Sequence, residues 1–160
     1  MSFGVRNGLM AEVGYQISIA EDNPADLYLI EEALRRHGFR YHLKTADNGE
    51  DMLKWIAALD EDPSQVCPDL FLIDLNLPRR SGDEILARIR ASSRCAQVPV
   101  IVITSSDSPQ DRARARELGA SRYFRKPADL ERFMSIGGIV REILEGQPEP
   151  PAGGVSQSSF

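Results

Sequence analysis

Asp74 ends the apolar run Leu70-Phe71-Leu72-Ile73 and opens the loop "LNLPRRSG". An ionised carboxylate at the end of a buried segment costs free energy unless something neutralises it. Alone, such a residue reads as a helix cap. Its weight comes from what other segments supply in the same kind of position. Glu21 and Asp22 follow "YQISIA", Thr104 and Ser105 follow "VPVIVI", and Lys126 follows "SRYFR" just before Pro127.

Two carboxylates about 4 Å apart repel by roughly 4 kcal/mol at an effective dielectric near 20, so three gathered together demand protons or a cation. Hard divalent cations take oxygen ligands, and magnesium is held by one or two carboxylates, waters and phosphate oxygens. Asp22 and Asp74 suit direct ligation of Mg2+, with Glu21 acting through water. A carboxylate beside such a cation can attack phosphorus and become an aspartyl-phosphate, provided that positive charge meets the transferred oxygens. Lys126 supplies that charge, and the Thr104 hydroxyl can donate to a phosphoryl oxygen.

The elements that must position these groups follow from two alternating periods. Tyr15–Glu21, Tyr41–Ala46, Asp69–Asp74, Val98–Thr104 and Ser121–Lys126 are short and mostly apolar or β-branched, as parallel strands are. Between them lie helical spacings at Leu27/Ile30/Leu34, Leu53/Ile56/Leu59, Ile85/Ile89, Ala113/Arg116 and Leu130/Phe133/Val140/Leu144. Asn23, Asn48 and Ser108 are placed as N-caps, twice with proline next, and Gly38 and Gly119 as left-handed helix ends. Five alternations predict a doubly wound α/β fold with a parallel sheet and right-handed crossovers. In such sheets ligands bind at the carboxyl ends of the strands, where all these polar residues fall.

The competing use of this architecture is dinucleotide binding. Its first loop would be glycine-rich, whereas "AEDNPAD" has no glycine and three carboxylates, which would repel a pyrophosphate.

With 160 residues, 42% hydrophobic and 27% charged, the chain reads as one globular domain. No apolar stretch approaches a membrane span, and the start lacks the pattern of a signal peptide, so a cytoplasmic location is expected. A net charge of -5 argues against a nucleic-acid-binding surface. Cys67 and Cys95 lack CxxC spacing and a nearby histidine, so neither zinc nor a disulfide is expected. From Gln147 the composition turns to Pro, Gly and Ser, as in a disordered tail; residues 1–14 read as an N-terminal extension of a domain spanning 15–146.

Four motifs in order, "IAEDNPAD", "LFLIDLNLPRRSG", "VIVITSS" and "GASRYFRKP", make the chain resemble a response-regulator receiver domain of two-component signalling. The resemblance implies a flavodoxin-like (βα)5 fold with strand order 2-1-3-4-5. It implies that Asp74 is the phosphoacceptor, Asp22 a direct Mg2+ ligand, Glu21 a ligand through water and the Asn76 backbone carbonyl a further ligand. Thr104 and Lys126 would contact the phosphoryl group, Tyr123 would turn inward when Thr104 moves, and the Lys126-Pro127 bond would be cis. A sensor histidine kinase would be the donor, with at most self-catalysed transfer and autodephosphorylation by this chain. Output would pass by protein contact through the fourth helix, fifth strand and fifth helix, no effector domain being expected. "NLPRRSG" and the loop around "DEDPSQVCP" resemble more loosely the stand-alone regulators that partner bacterial phytochromes.

Other readings differ in what they require. A phosphatase of the haloacid-dehalogenase type needs a second acid two residues after the nucleophile, where this chain has Asn76, which cannot protonate a leaving group. A binding module that no longer accepts phosphate would lack Asp74 or Lys126. The arginines at 112, 114, 116, 122 and 125 read as a solvated face or a partner surface, and His37 and His42 as structural. Trp55 reads as core or an interface edge. Phe133, Ile136, Val140 and Leu144 could exceed what the core needs and support a homodimer.

Overall fold

The computed structural model describes residues 14–146; apart from Gly14, the expected N-terminal extension and the tail expected from Gln147 onward lie outside the described residues. Strand β3 (Leu70–Ile73) has all four residues buried, because in a parallel sheet both faces are covered by helices. It pairs with β1 (Tyr15–Ala20) on one side and β4 (Val100–Thr104) on the other. With β2 (Tyr41–Ala46) and β5 (Arg122–Arg125) at the edges, five parallel strands stand in the order β2-β1-β3-β4-β5.

The helices are α1 (Pro24–Arg36), α2 (Gly49–Glu61), α3 (Gly82–Arg90), α4 (Pro109–Glu117), α5 (Leu130–Met134) and α6 (Ile136–Glu145). The predicted caps form: Asn23 Oδ1 accepts from the amides of Ala25 and Asp26, Asn48 Oδ1 from Asp51, and Ser108 Oγ from Asp111. Gly38 and Gly119 have φ of +71° and +94°, the left-handed ends expected.

Two hydrophobic clusters flank the sheet. One joins Ile17, Ile19, Leu70, Leu72, Ile101 and Ile103 to α1, α5 and α6; the other joins Phe71, Ile73, Val100 and Val102 to α2 and α3. Alternate strand residues point to opposite faces, so each strand feeds both clusters.

Four expectations are corrected. The last helical stretch is two segments, α5 and α6, meeting at Ser135, whose hydroxyl bonds the Arg132 carbonyl just before the Gly137-Gly138 pair. Phe133, Ile136, Val140 and Leu144 are all core residues, so they leave no surplus apolar face for a dimer. Cys67 and Cys95 form a disulfide with Cα atoms 5.7 Å apart. Cys67 precedes β3 and Cys95 precedes β4; these are neighbouring parallel strands, so their entry loops meet although 28 residues separate the cysteines. Among the described residues no peptide bond is cis, so Lys126-Pro127 takes the trans form, which is favoured before proline by about 0.5–1 kcal/mol.

Candidate functional site

Parallel strands in one register bring their carboxyl ends to one edge, and β1, β3, β4 and β5 end beside one another there. Asp74 leaves β3 with its amide bonded to the Ala20 carbonyl of β1, fixing where the side chain emerges. Its Oδ1 accepts from the Asn76 amide at 3.0 Å, and its Oδ2 from Lys126 Nζ at 2.8 Å. The loop that follows turns back tightly: a Cβ on Gly82 would stand 2.3 Å from the Asp74 carbonyl oxygen. Only glycine lets α3 begin so close to the end of β3.

Glu21, Asp22 and Asp74 each present an oxygen within 4.8 Å of the others. Glu21 and Asp74 are buried while Asp22 is exposed, so the trio has two enclosed members and one on the solvent side. Hard cations accept such an all-oxygen set. Asn76, the further ligand implied by the resemblance, follows two residues later, and its side-chain amide donates to Thr104 Oγ1 at 3.4 Å.

Lys126 crosses from the end of β5 into the same cleft. Its Nζ lies 2.5 Å from Glu21 Oε1, 2.8 Å from Asp74 Oδ2 and 2.8 Å from Asp26 Oδ2. Burial favours the neutral amine, but the hydrogen bonds to Asp26 and Asp74 and the close ion-pair contact with Glu21 outweigh it and hold the ammonium above its ordinary pKa. Burial likewise pushes the Glu21 carboxyl up to about 7, with the Asp74 charge adding and Lys126 opposing. One ammonium facing four carboxylates leaves the cleft with a net negative charge.

Thr104 is fully buried at the end of β4, and its Oγ1 also accepts from the Ser106 amide at 3.3 Å. Tyr123 on β5 already points inward: it is 8% exposed and its hydroxyl donates to the Ser106 carbonyl at 3.0 Å. Arg112 of α4 covers its ring at 4.4 Å. The backbone and side chain of Ser106 therefore connect Thr104, Tyr123 and, through Asp111, the start of α4.

Every residue expected at the site is brought to this edge of the sheet. Asp26 is the one whose part was missed. It stands four residues after Asp22 in the first turn of α1, a position where an acid is ordinarily explained by the helix dipole. Three of the arginines read as a solvated face or partner surface are engaged in ion pairs, Arg114 with Asp83, Arg122 with Glu142 and Arg125 with Asp107. Trp55 packs edge-on against Phe71, with Lys44 5.0 Å above its ring.

Known proteins carry the same pattern. The family model for the response regulator receiver domain matches residues 17–136. The chain is 35% identical over 147 residues to the probable methanogenesis regulatory protein FilR2 of Methanothrix harundinacea, covering 91% of this chain and 92% of that one. It is 31% identical over 137 residues to response regulator Rcp1 of Synechocystis, covering 85% and 93%. The Mn(2+)-bound structure of Rcp1 superposes with a TM-score of 0.71 at 30% identity, over 85% of this chain and 99% of that one. The phosphorylated cyanobacterial phytochrome response regulator RcpA superposes with a TM-score of 0.75 at 30% identity, over 86% and 99%. A matched domain, relatives aligned along nearly their whole length, and the acidic, hydroxyl and lysine positions at four strand ends agree: the chain belongs to the response regulator receiver domain family.

Proposed function

We propose that this protein is a phosphoacceptor switch in which Asp74 takes a phosphoryl group from a sensor histidine kinase with Mg2+ bound by Asp22, Asp74 and the Asn76 carbonyl, Glu21 acting through water. The observation that carries this is Asp74 itself: a buried carboxylate hydrogen-bonded by Lys126 and grouped with two further acids at the end of the central strand. An Asp74 oxygen attacks phosphorus as the bond from phosphorus to the donor breaks, so the chain supplies the nucleophile and the donor leaves without the phosphoryl group. A cation held there would supply positive charge against the carboxylates and the transferred phosphoryl group, and Lys126 and Thr104 would hold phosphoryl oxygens. Turnover is confined to self-catalysed transfer and autodephosphorylation.

The readout lies on the face formed by α4, β5 and the α5-α6 segment. Thr104 drawn toward a phosphoryl oxygen would pull on the Ser106 loop, which carries the hydrogen bond of Tyr123 and the cap of α4. Output is by protein contact in the cytoplasm; no described helix is long and apolar enough to cross a membrane. The likeness to Rcp1 and RcpA supports a phytochrome-type kinase as the donor.

Intact-mass spectrometry after incubation with acetyl phosphate tests the reading. The expected result is one added phosphoryl group that requires both Mg2+ and Asp74. An adduct of the same yield on Asp74→Asn, or none on the folded wild type, refutes it.

A further inference from the structure

Asp26 belongs to neither the cation trio nor the phosphoacceptor, yet its Oδ2 lies 2.8 Å from Lys126 Nζ across 100 residues of sequence. The contacts of this ammonium are not equivalent. Asp26 and Asp74 accept directed hydrogen bonds, whereas Glu21 Oε1, though only 2.5 Å away, has no hydrogen-bond geometry to any group. Two acceptors therefore aim Lys126, and one of them is the group to be modified.

Asp26 is itself held rigidly. Its amide donates to Asn23 Oδ1, which also caps Ala25, and the Asn23 amide donates in turn to Glu21 Oε2. Pro24 fixes the backbone between them. Residues 21–26 are thus tied together by their own hydrogen bonds; Glu21 and Asp26 both pair with Lys126, and of these two Asp26 lies outside the cation trio. When Asp74 becomes an acyl phosphate its oxygens are no longer a free carboxylate, and the Asp74 anchor of Lys126 changes. Asp26 is unaltered by that step.

Resting on the phosphoacceptor function proposed above, we infer that Asp26 is a positioning residue for phosphoryl transfer: it holds one N–H of Lys126 throughout, so that the ammonium pivots from the Asp74 carboxylate to the phosphoryl oxygens. Its negative charge also opposes the approach of an anionic donor. Orientation and charge therefore act on different kinetic constants, because positioning affects the transition state and charge repulsion affects encounter.

The test is phosphorylation of the full chain by acetyl phosphate with Mg2+ in wild type, D26N and D26A, with thermal unfolding to establish that each variant is folded. In D26A the maximal rate is expected to fall about tenfold. D26N keeps an acceptor oxygen and recovers most of that rate, while both variants reach half-saturation at lower acetyl phosphate. The Lys126 ammonium signal in a 1H–15N correlation spectrum should be sharp in wild type and D26N and exchange-broadened in D26A. Calorimetric Mg2+ binding should weaken far less in D26A than in D22A. Wild-type maximal rate in D26A, failure of folded D26N to recover it, an unchanged ammonium signal in D26A, or loss of Mg2+ equal to that of D22A each overturns the proposal. If wild type takes no phosphoryl group, the acceptor function fails on its own account, and the ammonium signal still decides whether Asp26 positions Lys126.

Discussion

Replacing Asp74 by asparagine should stabilise the protein in a chelating buffer, although it removes a buried ion pair. Lys126 Nζ lies 2.8 Å from Asp74 Oδ2, an attraction of about 6 kcal/mol at an effective dielectric of about 20. Glu21 and Asp22 place oxygens within 4.8 Å, so each repels Asp74 by about 3.5 kcal/mol or more on the same scale. Asp26 shares the same ammonium at 2.8 Å, which puts its oxygen no more than about 5.6 Å from Asp74 and adds about 3 kcal/mol of repulsion. Repulsion exceeds attraction by about 4 kcal/mol. Exposure of Asp22 reduces this, and an asparagine oxygen cannot serve both the Asn76 amide and Lys126, which costs about 1 kcal/mol. A net gain of about 1–3 kcal/mol remains, raising Tm by roughly 3–10 °C. Lys126 keeps Glu21 and Asp26 as partners, so no buried charge is orphaned. The assay is thermal unfolding at pH 8, where Glu21 is ionised, with EDTA and then with increasing Mg2+. Wild type should gain more from Mg2+ than Asp74→Asn, because binding to the folded state stabilises by mass action. A lower Tm for Asp74→Asn in EDTA, or equal Mg2+ stabilisation of both proteins, refutes the charge argument.

Four further outcomes are expected. With its folded pKa raised to about 7 from an ordinary 4.5, Glu21 makes the folded state bind more protons between these values, so its contribution is full below pH 4.5 and is lost as pH rises through 7. In EDTA the stability of wild type should therefore fall by on the order of 2 kcal/mol from pH 5 to pH 8, and Glu21→Gln should flatten that slope; a parallel slope in the variant sinks the assignment. Reducing Cys67–Cys95, which closes a 28-residue loop, should cost about 3.5 kcal/mol by loop entropy. A protein whose thiols are both alkylated yet whose melting is unchanged contradicts it. Gly82→Ala should cost about 2–4 kcal/mol, because its Cβ meets the Asp74 carbonyl at 2.3 Å and the Leu75 Cα at 2.7 Å. Gly38→Ala, with open space but φ of +71°, should cost about 1 kcal/mol; denaturant titration of both variants against wild type checks these two costs, and equal losses refute them.

The five strands, the helices between them and the polar residues at the strand ends were legible in the sequence. These are local signals: apolar runs of strand length, helical spacing, Asn23, Asn48 and Ser108 as caps, and glycines where a left-handed residue must stand. Because parallel strands share one direction, knowing which residue ends each strand already places Glu21, Asp22, Asp74, Thr104 and Lys126 on one edge. Other features depend on which segments become neighbours in the packed chain. The Cys67–Cys95 bond follows from β3 lying beside β4, and the grip of Asp26 on Lys126 from the lysine side chain reaching from the end of β5 to the first turn of α1. The burial of Phe133, Ile136, Val140 and Leu144, which removed their surplus apolar face, required α5 and α6 to break at Ser135 and pack against α1. Periodicity reports that a side chain will be covered; only the packed chain decides what covers it.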